Sequence, residues 1–255
     1  SDVCSSDLER LPMFDTAILY QAGFYASLDE LNANASLMVE LTKAFSEYGF
    51  IPSNSRLVNL DQPQHFILRP KLISEGQEWE IDFEPGRFLI KSNRTPNIEC
   101  CSSEEFQTKA TKFLEILTTL FPYEGTRLSF VAKGLLSQIE SDLLNKFNCS
   151  GRLMAFYKNH SPVEWISRQN SRLDIHIMDY NEQINVITEL SRIQGLIVKE
   201  EIETPIDRVQ VLFDINTVAG NRTPRFHFAE FDAFISSSIS KAKEILCEIE
   251  ESCHE

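Results

Sequence analysis

The tetrapeptide Asn93-Arg-Thr-Pro96 recurs unchanged as Asn221-Arg-Thr-Pro224, 128 residues further on, and this repeat limits the possible folds more than any other feature of the chain. Self-similarity at a fixed offset marks a duplicated structural unit. The neighbourhood of each copy agrees. Before each lies a stretch of period-two apolar spacing, Trp79-Glu-Ile-Asp-Phe83 and Val209-Gln-Val-Leu-Phe-Asp-Ile215, as expected of a half-buried strand. After each comes an acidic-aromatic pair, Glu105-Phe106 and Glu230-Phe231, and then an apolar-charged pattern, Phe113–Leu117 and Ala242–Leu246, that suits an amphipathic helix.

Extending the comparison backwards gives two opening strands, Thr16–Phe24 and Thr126–Gly134. A helix follows each. The first starts near Asn34 to Ser36, carries Leu37, Leu41, Ala44 and Phe45, and stops before Gly49; the second starts at Ser137, where Ser137-Gln-Ile-Glu140 fits a capping box. Further strands are expected at Arg56–Leu60, His65–Ile73, Glu78–Phe83 and Arg87–Ser92. In the second half they fall at Leu153–Tyr157, Val163–Ser167, Arg172–Tyr180, Gln183–Ile187, Leu196–Lys199 and Arg208–Ile215, with a short turn or helix over Thr188–Gly195. Long helices at Ser103–Leu120 and Phe228–Glu250 close the two halves. The expected class is α+β, with tandem β-α-β-β-β-β-α repeats forming an antiparallel sheet and helices packed on one side.

This order resembles the tandem TATA-binding-protein-like or helix-grip arrangement, which implies a curved sheet gripping helices and, without a basic concave face, no DNA binding. Arg127-Leu-Ser-Phe-Val131 and Phe213-Asp-Ile-Asn216 also resemble a sporadically distributed family of uncharacterised bacterial proteins, with Asn216 in place of that family's last Asp; the resemblance implies no catalytic residue. Residues 1–8, Ser-Asp-Val-Cys-Ser-Ser-Asp-Leu, resemble a translated sequencing adapter. The expected units are therefore an adapter remnant at 1–8 and two repeats at 9–124 and 125–255, the second enlarged by extra strands at about 153–200.

A formal net charge of -14 opposes a polyanion, so the expected partner is a protein, encoded nearby, and not nucleic acid. No apolar run reaches the eighteen residues a membrane helix needs. Without Cys4 the cysteines number five and lack C-x-x-C or zinc-like spacing, which suits reduced thiols in a cytoplasm; adjacent Cys100 and Cys101 could form a redox pair, although packing explains most such neighbours.

Three side-chain groups invite chemistry. Glu80, Asp82 and Glu84 share one side of a strand, opposite Arg87 and Lys91 across a Pro85-Gly86 turn, and are expected to be cross-strand ion pairs. Arg172, Asp174 and His176 share a face, and a metal-dependent hydrolase or nuclease would use Asp82, Asp174, His176 and Asp214, with Glu164 another possible ligand. Arg94, Arg222, Arg225 and His227 stand near the two repeated helix entrances and could hold an anion or a partner. No P-loop, dinucleotide fingerprint, H-E-x-x-H or G-x-S-x-G motif is present, and no cofactor is expected. The leading expectation is a non-enzymatic protein-binding module. The alternatives are the metal-dependent enzyme and a nucleic-acid binder using Arg69, Lys71, Arg87, Lys91 and Arg94 on a sheet face.

Overall fold

The computed structural model describes residues 12–28, 31–59, 62–140, 143–148, 155–160, 162–199 and 202–254. The segment 1–8 lies outside them. Nine strands form one antiparallel sheet: β1 (Thr16–Tyr25), β2 (Phe50–Asn59), β3 (Gln62–Ser74), β4 (Trp79–Glu84), β5 (Arg87–Asn93), β6 (Arg127–Leu135), β7 (Trp165–Ile177), β8 (Tyr180–Lys199) and β9 (Ile202–Thr217). The helices are α1 (Ala35–Ala44), α2 (Ser103–Leu120), α3 (Ala155–Asn159) and α4 (Phe228–His254). The spatial order β2-β3-β4-β5-β1-β6-β9-β8-β7 puts the opening strands of the two halves side by side at the centre, with Tyr20 opposite Ala132 and Tyr25 opposite Arg127. The α+β antiparallel class expected from the sequence is the class observed.

Strand alternation sorts the side chains. Tyr20, Ala22 and Phe24 of β1, Phe88 and Ile90 of β5, Phe130 and Ala132 of β6, and Phe213 and Ile215 of β9 all face one way and are buried. Against them lie α2 and α4. Phe106 of α2 stacks on Trp79 at 5.8 Å and meets Tyr20 at 5.5 Å, while Phe231 of α4 meets Phe24 edge-on at 6.4 Å. The two helices join through Asp232, which accepts hydrogen bonds from Gln107 and Thr111, and through Lys243 and Glu104 at 2.7 Å. Asn34 caps α1 by accepting from the Leu37 amide, and Ser102 caps α2 by accepting from the Glu105 amide. Gly49, in the left-handed conformation at φ 66°, ends the turn after α1.

The second half departs from expectation. Five of its six expected strands are three long ones: Val163–Ser167 and Arg172–Tyr180 join as β7, Gln183–Ile187 and Leu196–Lys199 join as β8, and Arg208–Ile215 lies within β9. Thr188–Gly195 is neither turn nor helix, because β9 pairs with it throughout and β7 pairs with its first five residues. The polar run Arg168-Gln-Asn-Ser-Arg172 hides the period of β7 in the sequence, yet its backbone pairs without interruption. Among the described residues no α-helix starts at Ser137. Leu136 is drawn into the β9 ladder through Val209, and Arg208 donates to its carbonyl, so the chain leaves β6 extended, with a 3-10 turn at Leu144–Phe147 among the described residues. Leu153–Tyr157, expected as a strand, lies partly outside the described residues and overlaps α3 at its end. Among the described residues no helix is long and apolar enough to cross a membrane.

Candidate functional site

The sheet face turned away from α2 and α4 is crossed by a row of hydrogen bonds and cation–π contacts that links seven neighbouring strands. At one end Glu84 on β4 accepts from Arg87 Nε on β5 at 2.7 Å, and Arg87 Nη1 donates to the Tyr25 hydroxyl on β1 at 2.9 Å. The Tyr25 ring lies between two guanidinium groups. Arg87 stands 5.4 Å and Arg127 4.9 Å from its centroid, within cation–π range. On β6, Arg127 donates to the Thr217 carbonyl at 3.1 Å and to Asn216 Oδ1 on β9 at 2.8 Å. Asn185 of β8 donates to that same oxygen at 3.0 Å and accepts from Arg172 Nε of β7 at 3.0 Å. Register explains the row: Arg87 pairs with Glu84 and Tyr25, Tyr25 with Arg127, Asn216 with Asn185, and Asn185 with Arg172. Six inter-strand steps of roughly 4.8 Å give it a length of about 29 Å.

Gly23, two residues from Tyr25, keeps the face low beside the row. A Cβ there would sit 2.4 Å from Ser129 Oγ, so any larger residue would push β6 side chains outwards. By alternation the face also carries Lys71, Lys91, Lys133 and Arg168 with the three arginines of the row, against Glu80, Asp82, Glu84, Asp174, Glu189 and Asp214. Basic and acidic groups nearly balance here, although the chain carries -14 overall. The acidic excess therefore belongs to the rest of the molecule.

Beside the row, Glu80 and Asp82 lie between Lys71 and Lys91, with Lys71 at 2.9 Å and Lys91 at 3.0 Å from Glu80 Oε1 and Lys91 at 2.5 Å from Asp82 Oδ2. Burial opposes ionisation of Glu80, but hydrogen bonds with Asp82 and both lysines outweigh it and hold the group at about 2. Burial and the bond to Glu80 push Asp82 upwards, with Lys91 acting against the shift. A carboxyl held below its unfolded value of about 4.3 adds stability above that value and loses it as pH falls towards 2. The raised Asp82 works in the opposite sense and reduces the net effect. Lys91→Met is therefore expected to lower stability by about 2 kcal/mol at neutral pH, with the loss shrinking as both carboxyls become protonated. Urea unfolding at neutral pH and at about pH 3 measures the difference.

The structure sorts the residues singled out from the sequence. Glu80, Asp82 and Glu84 share a face opposite Trp79, Ile81 and Phe83, and Glu80 pairs with Lys91 and Glu84 with Arg87, as expected. Arg172, Asp174 and His176 also share a face. The metal grouping does not form. Asp82 is on β4, Asp214 on β9 and Asp174 and His176 on edge strand β7; His176 hydrogen-bonds Asn181, and Gln183 donates to Asp174 at 3.4 Å. Four inter-strand steps, about 19 Å, separate β4 from β9. Glu164 is exposed just before β7, and among the described residues no three His, Cys, Asp or Glu side chains come together as metal ligands.

The four residues near the helix entrances each have their own surroundings. Arg225 is buried and saturated: both Glu182 oxygens accept from it, at 2.6 and 2.9 Å, as do the carbonyls of Thr126, Asn221 and Thr223. Nothing remains for an anion. Arg94 lies 4.0 Å from Glu99, Arg222 is an exposed loop residue, and the His227 amide donates to Glu230 while its ring lies 3.8 Å from Glu124. Of the expected basic patch, Lys71, Arg87 and Lys91 reach the open face. Arg69 instead is buried and donates to the Leu28 and Leu31 carbonyls. Sequence reasoning missed Tyr25, Arg127, Asn185 and Asn216, whose only signal is their alternation position on four separated strands.

No family model matches the chain, and no curated protein matches it. Among solved structures it is similar to a rolling circle replication initiator protein from Geobacillus stearothermophilus, at 6% identity over 88% of this chain and 78% of that one, with a TM-score of 0.30. The leading expectation of a protein-binding module finds no support in this neighbour and is not carried forward. At that distance the match itself carries no argument for function.

Proposed function

We propose that the chain binds single-stranded nucleic acid across the open face of its sheet. The observation that carries the reading is the Arg87–Tyr25–Arg127–Asn216–Asn185–Arg172 row, which places three guanidinium groups and an aromatic ring along one track. Guanidinium groups bind phosphate oxygens through paired N–H donors and stack on planar rings, and bases stack on aromatic and Arg planes without regard to sequence. A track of about 29 Å suits a segment of several nucleotides. The expectation against nucleic acid rested on net charge, which averages the two sides of the sheet. An acidic body with a near-neutral, arginine-bearing face confines a polyanion to that face.

Lys71 and Lys91 are engaged by Glu80 and Asp82, and Arg87 by Glu84, so Arg127 and Arg172 set the phosphate count. For a single strand this gives a dependence of log affinity on log salt with a slope of about -1.4. Tyr25→Ala removes the ring that orders Arg87 and Arg127 and is expected to weaken binding by about 1–3 kcal/mol. Fluorescence anisotropy with labelled single-stranded and duplex oligonucleotides tests the reading. Saturable, salt-sensitive binding that favours the single strand supports it, and equal affinity of wild type and Tyr25→Ala contradicts it.

A further inference from the structure

Two adjacent thiols, Cys100 and Cys101, lie just before the Ser102 cap of α2 and converge on one side chain. Ser92, near the end of β5, is buried at 1% exposure. Cys101 donates its S–H to Ser92 Oγ at 3.2 Å, while Cys100 Sγ lies 3.6 Å from the same oxygen and, as a thiol, donates to the Ser92 carbonyl at 3.5 Å. Once Ser92 Oγ accepts from Cys101, its own proton can turn to the Cys100 sulfur. An ionised Cys100 would thus receive a hydrogen bond relayed from its neighbour, while Cys101 keeps its proton as the donor. The two thiols are unequal by construction.

Both line a cavity of about 300 Å³. Its wall includes Arg94, whose charge favours an anion at Cys100, and Asp15 and Glu99, which oppose one. The hydrogen bond from Cys101 outweighs burial and holds the Cys100 thiol below its ordinary value, whereas the bond to Cys100 and then burial push Cys101 up. Thiolate character and access to a small co-reactant are the two conditions for a reactive cysteine.

We infer that Cys100 is a modification site, a nucleophilic thiol oxidised by small hydroperoxides that enter this cavity, with Cys101 and Ser92 positioning the reactive sulfur. Cys100 loses its proton to water, and a sulfur lone pair attacks one peroxide oxygen. The O–O bond breaks, and the departing alkoxide or hydroxide takes up a proton. Sulfur is oxidised to the sulfenic acid, and the hydroperoxide is reduced to an alcohol, or to water when it is hydrogen peroxide. Adjacent Cα atoms are about 3.8 Å apart across a trans peptide, short of the ~4.4–6.8 Å span of ordinary disulfides. Closure onto Cys101 therefore needs backbone movement, and the sulfenic acid persists long enough to be trapped.

The experiment exposes the full chain briefly to hydrogen peroxide with dimedone present and compares Cys100 and Cys101 adducts by peptide mass spectrometry. Cys100 is expected to carry several-fold more adduct than Cys101. Cys101→Ala is expected to slow Cys100 labelling several-fold, and Cys101→Ser, which restores an O–H donor, to recover most of it. Alkylation by iodoacetamide under native conditions reads the same order without peroxide. Labelling of Cys101 equal to or above that of Cys100 overturns the inference, as does Cys100 labelling in a folded Cys101→Ala chain at the wild-type rate.

Discussion

Arg225→Ala is expected to destabilise the chain by about 3–5 kcal/mol, the loss typical of a buried ion pair deprived of one partner. Arg225 closes a junction. Its two bonds to Glu182 tie the loop before α4 to the start of β8, and its bonds to the carbonyls of Thr126, Asn221 and Thr223 hold the start of β6 to the same loop. The neighbouring backbone is joined too, with Gly125 paired to Phe226. Removing the guanidinium leaves the Glu182 carboxylate, 8% exposed, without this counter-charge and three carbonyls without this donor. Arg225→Lys is expected to recover only part of the loss, since an ammonium cannot reproduce a planar fork. Arg225→Met with Glu182→Leu is expected to recover more, because it leaves no buried charge. Urea midpoints for the three variants test this account; a loss below about 1 kcal/mol for Arg225→Ala would show that the pair is open to solvent.

Phe113→Ala is the second large effect, also about 3–5 kcal/mol. Phe113 is the point at which α2, the α1 region and the first-half strands meet. Its ring makes edge-on contacts with Phe45 at 5.9 Å, Tyr48 at 5.1 Å, Phe50 at 5.2 Å and Trp79 at 5.4 Å. Truncation removes the transfer energy of a buried ring and leaves a cavity whose walls belong to four different segments, so it cannot easily collapse. Phe113→Leu keeps most of the volume and is expected to cost about half as much or less. Thermal unfolding of both variants separates a packing effect from a loss of helix, because alanine and leucine are both good helix formers.

The first half was legible because each of its elements states its period within a few residues. Asn34 and Gly49 bracket the helix region, Pro85-Gly86 turns β4 into β5, and apolar residues alternate cleanly along Trp79–Phe83. The second half speaks less clearly. β7 carries six polar residues in a row, Ser167 to Arg172, and β8 runs for twenty residues, so their continuity depends on partners that local pattern does not reveal. Ser137-Gln-Ile-Glu140 has the letters of a capping box, but the ties of Leu136 to Val209 and Arg208 keep the chain extended at its start. The same divide governs the candidate site. Glu84 and Arg87 are hairpin neighbours and could be paired by reading the turn. Tyr25, Arg127, Asn216 and Asn185 meet only through the order β1-β6-β9-β8, which joins residues far apart in sequence.

The repeated Asn-Arg-Thr-Pro segments illustrate how identical letters serve different neighbourhoods. In the first copy the Thr95 hydroxyl accepts from the Ile98 amide, whereas in the second Asn221 Oδ1 accepts from the Thr223 amide. Both are side-chain-to-backbone turns, which Asn and Thr favour. The arginine of neither copy joins the row on the open face.

The most direct test of the proposed function is the salt dependence of binding to a labelled single-stranded oligonucleotide of about 16 nucleotides, measured for wild type and for Arg87→Ala with Arg127→Ala. The account predicts saturable binding by the wild type at low salt, a slope of about -1.4 in log affinity against log salt, and a shallower slope with at least tenfold weaker binding for the double variant. Absence of wild-type binding at low salt, or a folded double variant that binds with the wild-type affinity and slope, would contradict it.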